Sequence, residues 1–265
     1  MRCVVITGST RGIGRGLAEA FLASGCAVTI SGRTQESVAE ALTPLAEAYG
    51  PERVLGHPCD VTDFAAVQGL WDAAQARFGK VDIWINNAGV GHPQIDFWDC
   101  DPAQIEAVVA TNVIGAMYGA RVALAGMLAQ GFGALYNMEG LGSDGRRVAG
   151  LTLYGSTKCG LRYLTQALVA EVRGTPVIVG ALSPGMVVTD LLTRQYEDRS
   201  EDWERARRIF NILADRVETV TPWLARRVLA NETSGARIEW LTRGKVWGRF
   251  LLAPFRKRDV FEDRR

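Results

Sequence analysis

The chain has 265 residues, 48% of them hydrophobic and 22% charged, with a formal net charge of +1. That balance belongs to a folded chain with a sizeable core, and it excludes a disordered or low-complexity protein and the basic field of a nucleic-acid binder. Five cysteines with no Cys-x-x-Cys pair, and two histidines, exclude a metal-ligand pattern.

The unpatterned cysteines suit a reducing compartment, so a cytoplasmic protein is expected, or an organelle-stroma protein if the sequence is a processed form. No apolar run approaches the ~20 residues of a membrane span. A strand that begins at Arg2 argues against a signal or transit peptide.

The run Cys-Val-Val-Ile, ending at Ile6, reads as a strand. Gly8, Ser9, Thr10, Arg11, Gly12, Ile13 and Gly14 then form a glycine-rich turn, and Leu17, Ala20 and Phe21 mark an amphipathic helix. Such a turn brings backbone N–H groups to a phosphate at the helix N-terminus. Its Gly-x-x-x-Gly-x-Gly spacing differs from the usual Gly-x-Gly-x-x-Gly fingerprint. A second strand, 27–30, leads to Arg33, about 20 positions beyond the turn, where dinucleotide folds carry an acid for a ribose 2′-hydroxyl or an arginine for a 2′-phosphate. No acid stands there, and Arg11 adds a second positive charge. NADPH is the expected cofactor.

A helix over 35–49, despite Pro44, precedes a third strand at 53–56 and a turn at Asp60 and Val61. A helix to Arg77, a fourth strand at 81–85 and the loop Asn86, Asn87, Ala88, Gly89 follow. Residues 102–130 read as one apolar helical region that contains Asn112, and 132–138 as the fifth strand. The sixth strand, 176–182, runs into Pro184, Gly185, Val187 and Thr189. This alternation predicts an α/β fold, a single Rossmann-type doubly wound parallel sheet flanked by helices on both faces, with its ligand at the carboxyl ends of the strands. One domain over 1–265 is expected, with a substrate-loop region at 186–220 and a C-terminal segment at 236–265 that opens on a short strand at 238–241.

Leu161, Leu164, Leu168 and Val172 place Tyr154 and Lys158 on one helix, four residues apart and on one face. A phenol has an ordinary pKa of about 10, and a neighbouring ammonium is expected to lower it, which makes the pair a candidate proton donor to a carbonyl oxygen.

Together these motifs resemble the short-chain dehydrogenase/reductase superfamily over most of 2–190. The resemblance implies that Asp60 and Val61 lie near the adenine and that Asn87, Ala88 and Gly89 back the adenosine end. It implies that Lys158 holds the nicotinamide ribose, that Asn112 orders a relay water, and that Val187 and Thr189 lie near the carboxamide. The superfamily's Asn-x-Ser-Ser after the fifth strand is absent: the text is Asn137, Met138, Glu139, Gly140, Leu141, Gly142, Ser143. Motif alignment puts Gly140 at the catalytic serine position and counting back from Tyr154 puts Leu141 there, so Ser143 is the candidate replacement.

That loop, with Tyr154 to Lys158, Leu182 to Leu192 and Phe210 to Asp215, resembles the chlorophyll(ide) b reductase branch. The branch implies NADPH-dependent reduction of a 7-formyl group to hydroxymethyl. A general ketone, sugar or acyl-thioester reductase and a non-catalytic NADP(H) sensor are the alternatives. The expected partners are a large apolar carbonyl substrate, a second copy of the chain and no nucleic acid. The basic and aromatic residues from Lys245 to Arg258 suggest either weak contact with a membrane surface or a segment packed on its own domain or on a second subunit.

Overall fold

The computed structural model describes residues 1–193, 200–255 and 258–261. Among them, seven parallel strands form one sheet: β1 (Cys3–Ile6), β2 (Ala27–Gly32), β3 (Val54–Pro58), β4 (Ile83–Asn86), β5 (Gly133–Met138), β6 (Val177–Ser183) and β7 (Arg237–Glu239). Their order across the sheet is β3-β2-β1-β4-β5-β6-β7. The chain works outward from β1 in one direction, then crosses back to β4 and works outward in the other. The switch point is therefore the gap between β1 and β4, and ligands of such sheets lie outside it at the carboxyl ends of the strands.

The strands read as short continuous apolar runs because both faces are covered. Val4 and Ile6 point to one face, where Leu17 and Phe21 of α1 (Gly12–Ala23), Leu45 of α2 (Gln35–Tyr49) and Leu224 and Val228 of α9 (Val217–Leu229) close over them. Val5 points to the other, toward Leu70 and Trp71 of α3 (Phe64–Phe78) and Ala123 and Met127 of α5 (Gly115–Gln130). Pro44 is accommodated inside α2 on its exposed face. Thr34 and Asp63 cap α2 and α3 by accepting hydrogen bonds from Ser37 N and Ala65 N.

The helical region over 102–130 is interrupted. α4 (Pro102–Val109) passes into a π turn at Ala110–Ile114 before α5 begins. By length and hydropathy, Pro102–Gln130 is apolar enough to cross a membrane, which corrects the expectation of no such run. Few charges interrupt its Ala, Val and Gly residues, and half of its most apolar window is buried against the protein itself.

After β6 come α7 (Asp190–Thr193), α8 (Ser200–Leu213) and α9, and α10 (Arg243–Leu252) follows β7; α6 is the helix Thr152–Glu171. Residues 194–199 of the expected substrate loop, and 256–257 and 262–265 of the expected C-terminal segment, lie outside the described residues. Residues after β7, including α10, are clamped to the loop after β6 by one acid. Asp215 Oδ2 accepts from Trp240 Nε1 and from Arg249 Nη2, both at 2.6 Å, and Oδ1 accepts from Arg258 Nη2 at 2.9 Å. Burial opposes its charge, but these donors hold its carboxyl below the usual range. Its backbone accepts from Val188 N and donates to Met186 O, so the clamp fixes the segment after β6 that carries Val187.

Candidate active site

The glycine turn after β1 is locked from the loop after β4. Asn87 Nδ2 donates to the carbonyls of Thr7 and Gly8, both at 2.9 Å, and Thr7 Oγ1 accepts from Asn87 N and Ala88 N. Gly8 has φ +60°, and a Cβ there would stand 2.8 Å from Ala88 Cα, so the two loops meet backbone to backbone. Ser9 is buried, bonded to Ile6 O and Ser31 N, and serves the turn itself. Ile13 packs on the core.

Thr10, Arg11 and Gly12 are left on the open side. Among the described residues no side chain caps α1, and its first turn holds no acid. The N–H groups and dipole of that helix end suit a phosphate. A Cβ on Gly32 would come within 2.6 Å of Thr10 Cγ2, so the turn abuts the end of β2 and the next residues, Arg11 and Arg33, rise exposed from adjoining backbone. Arg11 lies 3.8 Å from Asp190 across a solvent-exposed pair. The residues present therefore fit a phosphorylated dinucleotide.

Thr189 comes from the far side, its Cγ2 3.5 Å from where a Cβ on Gly12 would stand. Val187 is buried beside it, and Gly185 (φ +73°) turns the chain against Leu241 after Pro184. Asp60 accepts from Thr62 N and Oγ1 and caps its own turn, while Val61 packs on the α5 start at Gly115.

Tyr154 and Lys158 sit beside the carboxyl ends of β4 and β5. Lys158 Nζ lies 5.7 Å from the Tyr154 ring centroid and donates to Met138 O at 3.2 Å. Gly89 is adjacent, the place of its Cβ being 3.6 Å from Lys158 Nζ and 3.3 Å from Asn112 Oδ1. Asn112, inside the π turn, accepts from Val90 N and donates to Val90 O and Thr157 Oγ1. Its side chain thus ties the β4 loop to α6. The wide turn carries backbone carbonyls out of the α-helical ladder, a geometry frequent at functional sites.

Two expectations are corrected here. Lys158 does not lower the Tyr154 phenol: burial pushes it up to about 12. The ammonium is directed at Met138 O, and burial, opposed by Glu139, holds Lys158 itself down to about 8. Nor does Ser143 hydrogen-bond Tyr154 directly. Among the described residues none hydrogen-bonds Tyr154 Oη, and Ser143 Oγ donates to Glu139 Oε2 at 3.4 Å. A Cβ on Gly140 would stand 2.4 Å from Tyr154 Oη, so Gly140, not Leu141, holds the position facing the hydroxyl. Ser143 lies three residues further on, drawn to a buried carboxylate that Arg237 also holds.

His92 is a contributor the sequence did not single out. Its Nε2 accepts from Tyr154 N at 3.2 Å and its Nδ1 lies 2.7 Å from Pro93 O. Both bonds together require the neutral ring with the proton on Nδ1. A lone histidine in a loop carries no periodic or motif signal.

A doubly wound sheet with a phosphate-ready turn, and a Tyr–Lys pair beside the carboxyl ends of β4 and β5, is the architecture of dinucleotide-dependent dehydrogenases. The chain belongs to the short chain dehydrogenase family, whose model matches residues 2–200. Relatives extend the likeness beyond that span. The probable chlorophyll(ide) b reductase NYC1 of Oryza sativa subsp. japonica is 37% identical over 99% of this chain and 54% of its own length. Chlorophyll(ide) b reductase NOL of Arabidopsis thaliana is 37% identical over 98% of this chain and 77% of its own. The chain thus spans about half the length of the NYC1 relatives. Among solved structures, the closed form of serine dehydrogenase complexed with NADP+ superposes with a TM-score of 0.79 at 25% identity, covering 91% of this chain and 94% of that one.

Proposed function

We propose that this protein is an NADPH-dependent carbonyl reductase, and that its substrate is the 7-formyl group of chlorophyll b or chlorophyllide b, reduced to hydroxymethyl. The observation that carries the substrate class is the reach of the chlorophyll(ide) b reductase likeness across α8 to α10, beyond the residues the general family model matches. The Asp215 clamp lies in that extension, and it fixes the segment after β6 that bears Val187.

NADPH, when bound, supplies the hydride. The glycine turn and the α1 N-terminus hold its pyrophosphate, Arg11 and Arg33 face its 2′-phosphate, and Asp60 and Val61 border the adenine. Lys158 holds the nicotinamide ribose, and Val187 and Thr189 border the carboxamide. Tyr154, protonated at neutral pH, donates its proton to the carbonyl oxygen as negative charge develops there. Asn112 and its π turn order the water that relays a proton back to the phenol.

The outward face of α10 supports a large apolar substrate or a weak contact with anionic lipid. Trp247 and Leu251 are 71% and 72% exposed, with Arg243 on the same helix, and Phe255 in the turn that follows is 85% exposed. A panel of aldehydes and formyl pigments offered with NADPH and with NADH tests the proposal. Turnover of the formyl pigment with NADPH is expected, and NADPH oxidation by no aldehyde in the panel would overturn it.

A further inference from the structure

α6 carries both Tyr154 and Lys158, and it opens without a cap of its own. Its N-cap position is Leu151, whose side chain has no acceptor to offer. Leu151 N donates to Val148 O, and Gly155 N donates back to Leu151 O, so the helical ladder of hydrogen bonds begins at Gly155. The N–H groups before it are those that every helix start leaves without an intrahelical partner. Tyr154 N is the last of them, on the third residue of the helix. It is satisfied from outside, by His92 Nε2 at 3.2 Å. His92 is buried, and an N–H in such a contact is costly to leave without an acceptor.

The bond closes a circuit. Asn112 Oδ1 accepts from Val90 N at 2.8 Å, and Asn112 Nδ2 donates to Val90 O at 2.9 Å and to Thr157 Oγ1 at 3.2 Å. Thr157 Oγ1 donates to Tyr154 O at 2.7 Å. His92, in the same loop as Val90, returns to Tyr154 N. Both polar groups of the Tyr154 backbone are thus tied to the loop after β4, the carbonyl through Thr157 and Asn112 and the amide through His92. That loop is also held to the approach of α6, where Ile95 N donates to Gly150 O at 3.2 Å and Gln94 Nε2 to Ala149 O at 2.8 Å. Loss of the His92 acceptor therefore releases Tyr154 while these tethers keep the loop in place. The neutral ring suits its position. Nδ1–H donates to Pro93 O at 2.7 Å and leaves Nε2 a bare acceptor, whereas an imidazolium would turn an N–H against an N–H at the positive end of a helix dipole.

We propose that His92 is a positioning residue for the reaction: a neutral imidazole that caps α6 from the loop after β4 and fixes the backbone from which the Tyr154 phenol meets the carbonyl oxygen. This deepens the proposed reaction and rests on Tyr154 being its proton donor. A proton donor must stand within hydrogen-bond reach of the oxygen it serves, and a small displacement of a catalytic group is expensive in rate.

One substitution removes the acceptor and another restores it. His92→Leu has no acceptor, and His92→Gln offers an amide oxygen near the place of Nε2. With an aldehyde that the wild-type enzyme reduces and saturating NADPH, His92→Leu should lose about 10-fold or more in kcat and keep its NADPH affinity within about threefold, and His92→Gln should recover most of the rate. His92→Phe replaces His92→Leu if the latter fails to fold. Nitrogen-15 NMR of the wild-type enzyme reads the ring with no change at the site, since the chain has two histidines, His57 and His92, and His57→Asn assigns them. His92 should carry its proton on Nδ1 and leave Nε2 bare. A wild-type kcat in His92→Leu, an equal loss in His92→Leu and His92→Gln, or a proton on Nε2 would overturn the proposal. The proposed reaction fails separately, through near-normal turnover by Tyr154→Phe, on which the histidine spectrum does not depend.

Discussion

Gly140 and Tyr154 are packed so closely that position 140 cannot carry a side chain without moving the phenol: its Cβ would lie 2.4 Å from Tyr154 Oη and 3.3 Å from Lys158 Cε. Restoring the superfamily's serine is therefore expected to be harmful here. Gly140→Ser should lose at least about 10²-fold in kcat, the scale of a displaced general acid, with the fold retained by circular dichroism. Ser143→Ala should keep its rate within about threefold, since its hydroxyl serves Glu139. A more active Gly140→Ser enzyme would contradict the geometry.

Tyr154→Phe should abolish turnover and leave NADPH affinity nearly unchanged, because only the proton donor is removed. Lys158→Ala should harm both, since the ammonium is assigned to the nicotinamide ribose and its side chain packs beside the Tyr154 ring. Steady-state rates and cofactor titration by fluorescence check this. Near-normal reduction by Tyr154→Phe would refute the role.

Reduction should decline as pH rises through about 8. Lys158 is charged below that value and neutral above it, while Tyr154 stays protonated up to about 12. The phenol is thus a competent donor throughout, and the alkaline loss belongs to the lysine. A rate profile at saturating NADPH that climbs between about pH 7 and about pH 9 would reverse this sign.

Arg33→Ala should weaken NADPH binding about 10-fold and leave NADH binding unchanged, because a charge-assisted bond to the 2′-phosphate is lost. Equal affinity of the wild-type enzyme for the two cofactors would remove the basis for both arginines.

Asp215→Asn leaves Arg249 and Arg258 facing a neutral group inside a partly buried cluster. A loss of about 3 kcal/mol is expected, seen as a drop of several degrees in the unfolding midpoint. Because Asp215 also braces Met186 and Val188, the cofactor KM should rise in the folded fraction.

The sheet was legible because strands buried on both faces read as short apolar runs between glycine turns, and the carboxyl ends of all seven strands fall within two residues of the expected positions. Tyr154 and Lys158 were legible through their four-residue spacing. What escaped the sequence depends on long-range partners. The bond that takes Ser143 away from Tyr154 needs Arg237, far along the chain, to hold Glu139 in place. The depression of Lys158 follows from burial, which local pattern does not encode. The π turn around Asn112 is invisible to a periodicity that continues on both sides of it.

The central claim is tested most directly by incubating the purified protein with chlorophyllide b and NADPH and separating the pigments by chromatography. The account predicts a 7-hydroxymethyl product formed one for one with NADPH oxidised, and none with Tyr154→Phe. Unchanged chlorophyllide b, beside brisk NADPH-dependent reduction of a small ketone or aldehyde by the same preparation, would contradict it.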